Sequence, residues 1–155
     1  MCYDKVKHFN DADKLYQTMQ TSAKSLNMQV EEPSWFELDY ENNSNMFEDM
    51  LKTYIKQMGE PTIVVIILRN ENLYNVFKNI CYSMNVISQV VNARTCFKVN
   101  MSVASNVLRQ INSKIGGDLY AMSFPQEISS NTMLIGIDVC HQGQKSIVGF
   151  CATIN

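Results

Sequence analysis

Several things are missing from this sequence, and each absence narrows what it can be. No apolar run approaches the roughly 18 residues that a membrane-spanning helix needs, and the opening Met-Cys-Tyr-Asp-Lys-Val-Lys-His carries no apolar core of a secretion signal. Neither a G-x-G-x-x-G fingerprint nor a phosphate-binding P-loop occurs, so a nucleotide-cofactor enzyme has little support. The five cysteines follow no disulfide framework, and Cys140, His141 and Cys151 match no structural zinc spacing. Reduced thiols in a cytoplasmic or nuclear protein, with no membrane partner, are the expectation. There is no internal repeat and no low-complexity tract. An excess of positive charge is also missing, since the net charge is −2; a protein that tracks along a phosphate backbone is usually basic throughout.

What is present reads as one globular core. The chain has 155 residues, 46% of them hydrophobic and 18% charged, enough for one full core with little left for a second. Ile63–Leu68 is an unbroken β-branched run and predicts a buried strand. Around it, helix-like and strand-like stretches alternate: a short or truncated strand within residues 1–10, a helix over 11–26 capped by Asp11, a strand over 31–39 held near a sheet edge by Pro33, and a helix from about Met46 to Met58. After residue 68 come a helix starting at Leu73, a strand over 88–92, and a helix over 101–115 closed by Gly116-Gly117. The first of these helices should bury Leu73, Phe77, Ile80, Cys81 and Met84. The second should bury Val103, Ala104, Val107, Leu108, Ile111 and Ile115. Residues 118–130 read as irregular, apart from a short strand before Pro125. Strands over 132–139 and 146–153 follow, joined by His141-Gln142-Gly143-Gln144. The alternation argues for an α/β fold with a sheet and crossover helices.

The positive charge is local. Between Arg69 and Lys114 there are six bases and one acid, whereas residues 1–60 hold eleven acids and six bases. Within the basic stretch Tyr74 and Lys78 stand four apart, as do Gln110 and Lys114, so each pair projects from one side of its helix. With Gln89 on the intervening strand, the set could converge on one small anion, helped by backbone N–H groups at the helix N-terminus near Tyr74. Either pair alone is an ordinary solvent-edge pair. Asp138 lies inside Leu134–Val139, where an unpaired carboxylate is costly to bury; on the residues alone it is a strand-end Asp reaching solvent or capping a turn.

Three phrases carry a resemblance. "TIVVIILRNENLYNVFKNICYSMNVISQVVNART", "NVLRQINSKIGGDLY" and "TMLIGIDVCHQGQKSIVGFCATIN", above all "QINSKIGG" and "IGIDVCH" within them, resemble Argonaute proteins of the PIWI clade over roughly residues 10–155. The resemblance implies a Rossmann-like MID domain over residues 1–125, with a largely parallel sheet flanked by helices. Residues 126–155 would then be the opening hairpin of an RNase H-like PIWI domain, and the chain an excised piece or a truncated product. The implied function is binding of a single-stranded guide RNA, of the piRNA type, through its 5′-phosphorylated end, alongside the remainder of an Argonaute/PIWI protein.

On that resemblance Tyr74 stacks on the first base, within reach of the loop 70–73, and Lys78, Gln89 and Lys114 hold the phosphate. Gln110 contacts the phosphate or a divalent cation, magnesium, that assists it. Asp138 matches the first carboxylate of the family's nuclease site. No Asp or Glu follows it, so the metal-dependent cleavage that needs several anionic ligands is not expected of this chain alone. Two alternatives stand beside RNA-end binding: a non-catalytic protein-interaction module or Argonaute remnant, and part of a metal-dependent nuclease.

Overall fold

A computed structural model describes residues 1–4, 9–39, 43–120, 123, 125, 129 and 131–153. The chain divides into two compact units, Met1–Leu119 and Tyr120–Asn155, where the sequence suggested a boundary after residue 125.

The first unit is built on β3 (Val64–Leu68), all five of whose residues are buried. Val64, Ile66 and Leu68 face one side and Val65 and Ile67 the other, as the two-residue period of a strand requires. Around it lie β1 (Cys2–Asp4), β2 (Phe36–Leu38) and β4 (Ser88–Asn92), in the order β2-β1-β3-β4 with every pairing parallel. Parallel strands need covered faces and helical crossovers. On one face α2 (Ser44–Met58) and α3 (Leu73–Ser83) press Phe47, Leu51, Ile55, Phe77 and Ile80 against the sheet. On the other, α1 (Phe9–Ser25), the short α4 (Ala93–Phe97) and α5 (Met101–Lys114) contribute Leu15, Met19, Cys96, Val107 and Leu108. The result is a three-layer sandwich of the doubly wound type.

The local differences from the sequence reading have physical causes. The strand expected over 31–39 shrinks to β2, whose three residues pair with the three of β1, while Trp35 packs its ring against Tyr3 and Tyr16. Asp11 falls inside the first turn of α1, not at its cap. At α2 the cap is Asn43, whose side chain accepts from the N–H groups of Asn45 and Met46. The helix α4 was not anticipated; Asn92 caps it through Arg94 N. Ile115, expected in the core, is exposed just past the end of α5. The short strand expected before Pro125 falls mostly outside the described residues.

The second unit is a hairpin, β5 (Ile135–Gln142) against antiparallel β6 (Lys145–Ala152). His141 and Gln142 continue β5 and pair with Ser146 and Lys145, so the turn is the two-residue Gly143-Gln144 rather than four residues. Gly143 takes φ +61° and Gln144 has no positive φ, the pattern of a type II′ turn.

Candidate phosphate-binding site

β4 is an edge strand: it pairs with β3 and, among the described residues, with no other strand. Ile87 O accepts from Val64 N on the β3 side. The alternation of a parallel ladder therefore aims the carbonyls of Ser88 and Val90 away from the sheet. Left bare, such an edge invites another strand. Here side chains cap it.

Lys78, from α3, donates to Ser88 Oγ at 2.7 Å and reaches Ser88 O at 3.4 Å. Lys114, from the last turn of α5, donates to the same Ser88 O at 3.0 Å and to Gln89 Oε1 at 2.7 Å. Gln89 Nε2 donates to Val90 O at 2.9 Å and to Gln110 Oε1 at 3.0 Å. Helices α3 and α5 lie on opposite faces of the sheet, and their side chains meet only because β4 is its last strand. Lys78, Gln89, Gln110 and Lys114 thus form one bonded cluster. Tyr74 stands one turn before Lys78 on the same flank of α3, and the residue is 46% exposed.

Ser88 is the residue that pattern reasoning missed. It is buried, takes both lysines on one carbonyl, and its hydroxyl oxygen accepts from Lys78 as well. Within the strand Ser-Gln-Val-Val-Asn a serine is one of three polar residues, and nothing local sets it apart. Gln89 is buried too, so its carboxamide is fixed rather than mobile.

The electrostatics favour an anion. Among the described residues none of the hydrogen bonds of this cluster goes to a carboxylate. Burial, and then the neighbouring Lys78 charge, hold the Lys114 pKa below the usual lysine range. The C-terminal end of α5 helps keep that ammonium in place. The α3 N-terminus contributes less than its position suggested: Asn72 N donates to Asn70 Oδ1, Leu73 N to Asn70 O and Tyr74 N to Glu71 O. Its amides are spent on the turn, and the lysines supply the positive charge. Behind Ser88, burial pushes the Cys81 thiol up to about 11, so it is no nucleophile at neutral pH.

Lys114 is held by the end of its helix. Gly116 takes φ +90°, with Gly116 N bonded to Ser113 O and Gly117 N to Asn112 O, a Schellman motif. A Cβ on Gly117 would fall 2.2 Å from Asn112 Oδ1, and that side chain donates to Asp118 O. An apolar cavity of about 650 Å³ elsewhere in this unit is lined by Met19, Met28, Met58 and Ile63 and by none of the cluster residues.

In the hairpin, Asp138 lies opposite Gly149 and its Oδ1 accepts from Val139 N. It is exposed, and among the described residues no three His, Cys, Asp or Glu side chains gather as a metal site. Cys140 pairs with Ile147 and Cys151 with Gly136, so the two thiols are not cross-strand partners.

Residues 62–155 match the Piwi domain family. The chain belongs to the Argonaute family, in its PIWI clade. It is 29% identical over 151 residues to protein argonaute-3 of Drosophila melanogaster, covering 93% of this chain and 17% of that protein. With Piwi-like protein Ago3 of Bombyx mori the identity is 31% over 111 residues, covering 68% and 12%. The crystal structure of Drosophila Piwi matches the fold with a TM-score of 0.78 at 18% identity, over 97% of this PIWI-clade chain and 24% of that one. The chain therefore spans a small part of the relatives' length. Among the described residues no helix is long and apolar enough to cross a membrane.

Proposed function

We propose that this chain serves small-RNA-guided silencing of the piRNA type by holding the 5′-phosphorylated end of a single-stranded guide RNA, with the remainder of an Argonaute/PIWI protein as its partner. The observation that carries the proposal is the convergence of two ammonium groups on one buried carbonyl, with no acid bonded to either among the described residues. A terminal phosphate brings about −1.5 to −2 charges near neutral pH, and an internal phosphodiester brings one. Two lysines matched to the larger charge select an end over a linkage. Each charge-assisted hydrogen bond contributes on the order of 1.5–3 kcal/mol. A first base stacked on Tyr74 adds roughly 1–3 kcal/mol with little sequence preference. Titration of a 5′-phosphorylated oligonucleotide against its 5′-hydroxyl twin tests the proposal. Tighter binding of the phosphorylated strand is expected, and equal affinity would sink it.

Cleavage is not part of the proposed role. Among the described residues Asp138 belongs to no group of three or more His, Cys, Asp or Glu side chains, and two-metal hydrolysis needs several anionic ligands. Incubation with a guide paired to its target in magnesium should leave the target intact; a magnesium-dependent product would restore the nuclease reading.

A further inference from the structure

The cluster has a direction. An ammonium can only donate, so Lys114 Nζ fixes which end of the Gln89 carboxamide faces it: the oxygen. Val90 O can only accept, and it fixes the other end as the nitrogen. Gln89 is pinned from both sides. Its second N–H then requires an acceptor from Gln110, which presents Oε1. Turning Gln110 over would set one NH2 group against another. The Gln110 oxygen is consequently engaged inside the cluster, and its Nε2, on an exposed residue, is the atom left to face a ligand.

We propose that this relay of orientation makes Gln110 a hydrogen-bond donor to the phosphate, and that the site takes a 5′-terminal phosphate without a divalent cation. The inference rests on the function proposed above. It also departs from the magnesium that the family resemblance implies, because the residues present do not fit one. A hard cation needs oxygen ligands. The side-chain oxygens of Gln89 and Gln110 already accept from N–H donors. A cation at the remaining lone pair of Gln110 would face the Gln89 N–H hydrogens and the ammonium groups of Lys78 and Lys114. Among the described residues no carboxylate is bonded into the cluster to offset that repulsion. All three outward groups, two ammoniums and one amide nitrogen, donate hydrogen bonds, which suits an acceptor-only ligand such as a phosphate dianion.

The 155-residue chain can be titrated with 5′-phosphorylated and 5′-hydroxyl single-stranded RNA, in EDTA and in millimolar magnesium, as wild type, Gln110→Lys and Gln110→Glu. Gln110 is exposed on α5, so both variants should fold, which circular dichroism checks. The expected wild-type preference for the phosphorylated strand is the same in both buffers to within about twofold. Gln110→Lys keeps or tightens it. Gln110→Glu, which can only accept, weakens it about tenfold or more in both buffers, the scale of one lost charge-assisted bond. In a parallel spectrum, inorganic phosphate should shift the Gln110 side-chain amide signal while magnesium alone should not. A phosphate preference that vanishes in EDTA, or binding by Gln110→Glu that magnesium restores, overturns the inference and leaves the end-binding function standing. Absence of any phosphate preference in either buffer overturns both.

Discussion

At the Ser88 carbonyl two lysines share one acceptor, so each hydrogen bond that caps the strand also brings like charges together. That tension makes the site responsive to pH. Lys114 titrates below the usual lysine range in the folded chain, so at alkaline pH the folded state binds fewer protons than the unfolded one. Stability therefore rises with pH across the window between the two values. Affinity behaves oppositely there, because a deprotonated Lys114 no longer offsets the ligand's charge. At the acid end a phosphate monoester gains its second charge near pH 6. Affinity for a 5′-phosphorylated strand should rise as pH passes about 6, hold a plateau, and fall before the ordinary lysine range is reached. Fluorescence anisotropy over pH 5 to 10 at fixed ionic strength reads this; a flat profile would show that neither group is in the contact.

Among the elements, α5 bears the strongest demand on its end, since the last turn carries Lys114. Gly116→Ala places a side chain at φ +90°, a conformation costing roughly 1–2 kcal/mol for an L-residue. Chemical denaturation should report that loss, and the affinity for a phosphorylated end should fall with it; an unchanged binding constant would mean that the turn does not position the lysine. The residues that made this region legible in the sequence were of two kinds. The β-branched run of β3 and the 3.6-residue stripes of α3 and α5 are local patterns set by burial, and they located the elements to within a residue or two. The residues Tyr74, Lys78, Gln89, Gln110 and Lys114 came as spacing, sharpened by family resemblance. Ser88 was not legible, because its role arises only where β4 becomes the sheet edge, and strand order is a long-range fact. The same holds for β2, whose three residues pair with the three-residue β1 far away in the chain.

For the whole molecule, the two units differ in how their apolar surface is covered. The first buries Phe47, Phe77 and Ile66 completely between its layers. The second leaves Ile135, Ile137 and Val139 on one face of β5, with Val148 and Phe150 across from them on β6, all exposed. An exposed apolar face on a sheet that has only two strands among the described residues favours self-association. Sedimentation velocity should show mass increasing with concentration, and Ile137→Lys with Phe150→Lys should reduce that increase. A monodisperse monomer at high concentration would contradict it.

The central claim, that two lysines converge on a terminal phosphate, is tested most directly by a cycle of four dissociation constants: wild type and the Lys78→Ala, Lys114→Ala double variant, each with 5′-phosphate and 5′-hydroxyl strands of one sequence. The expected result is a preference for the phosphorylated strand in the wild type that disappears in the variant, while affinity for the hydroxyl strand changes little. A preference that survives loss of both lysines would contradict it.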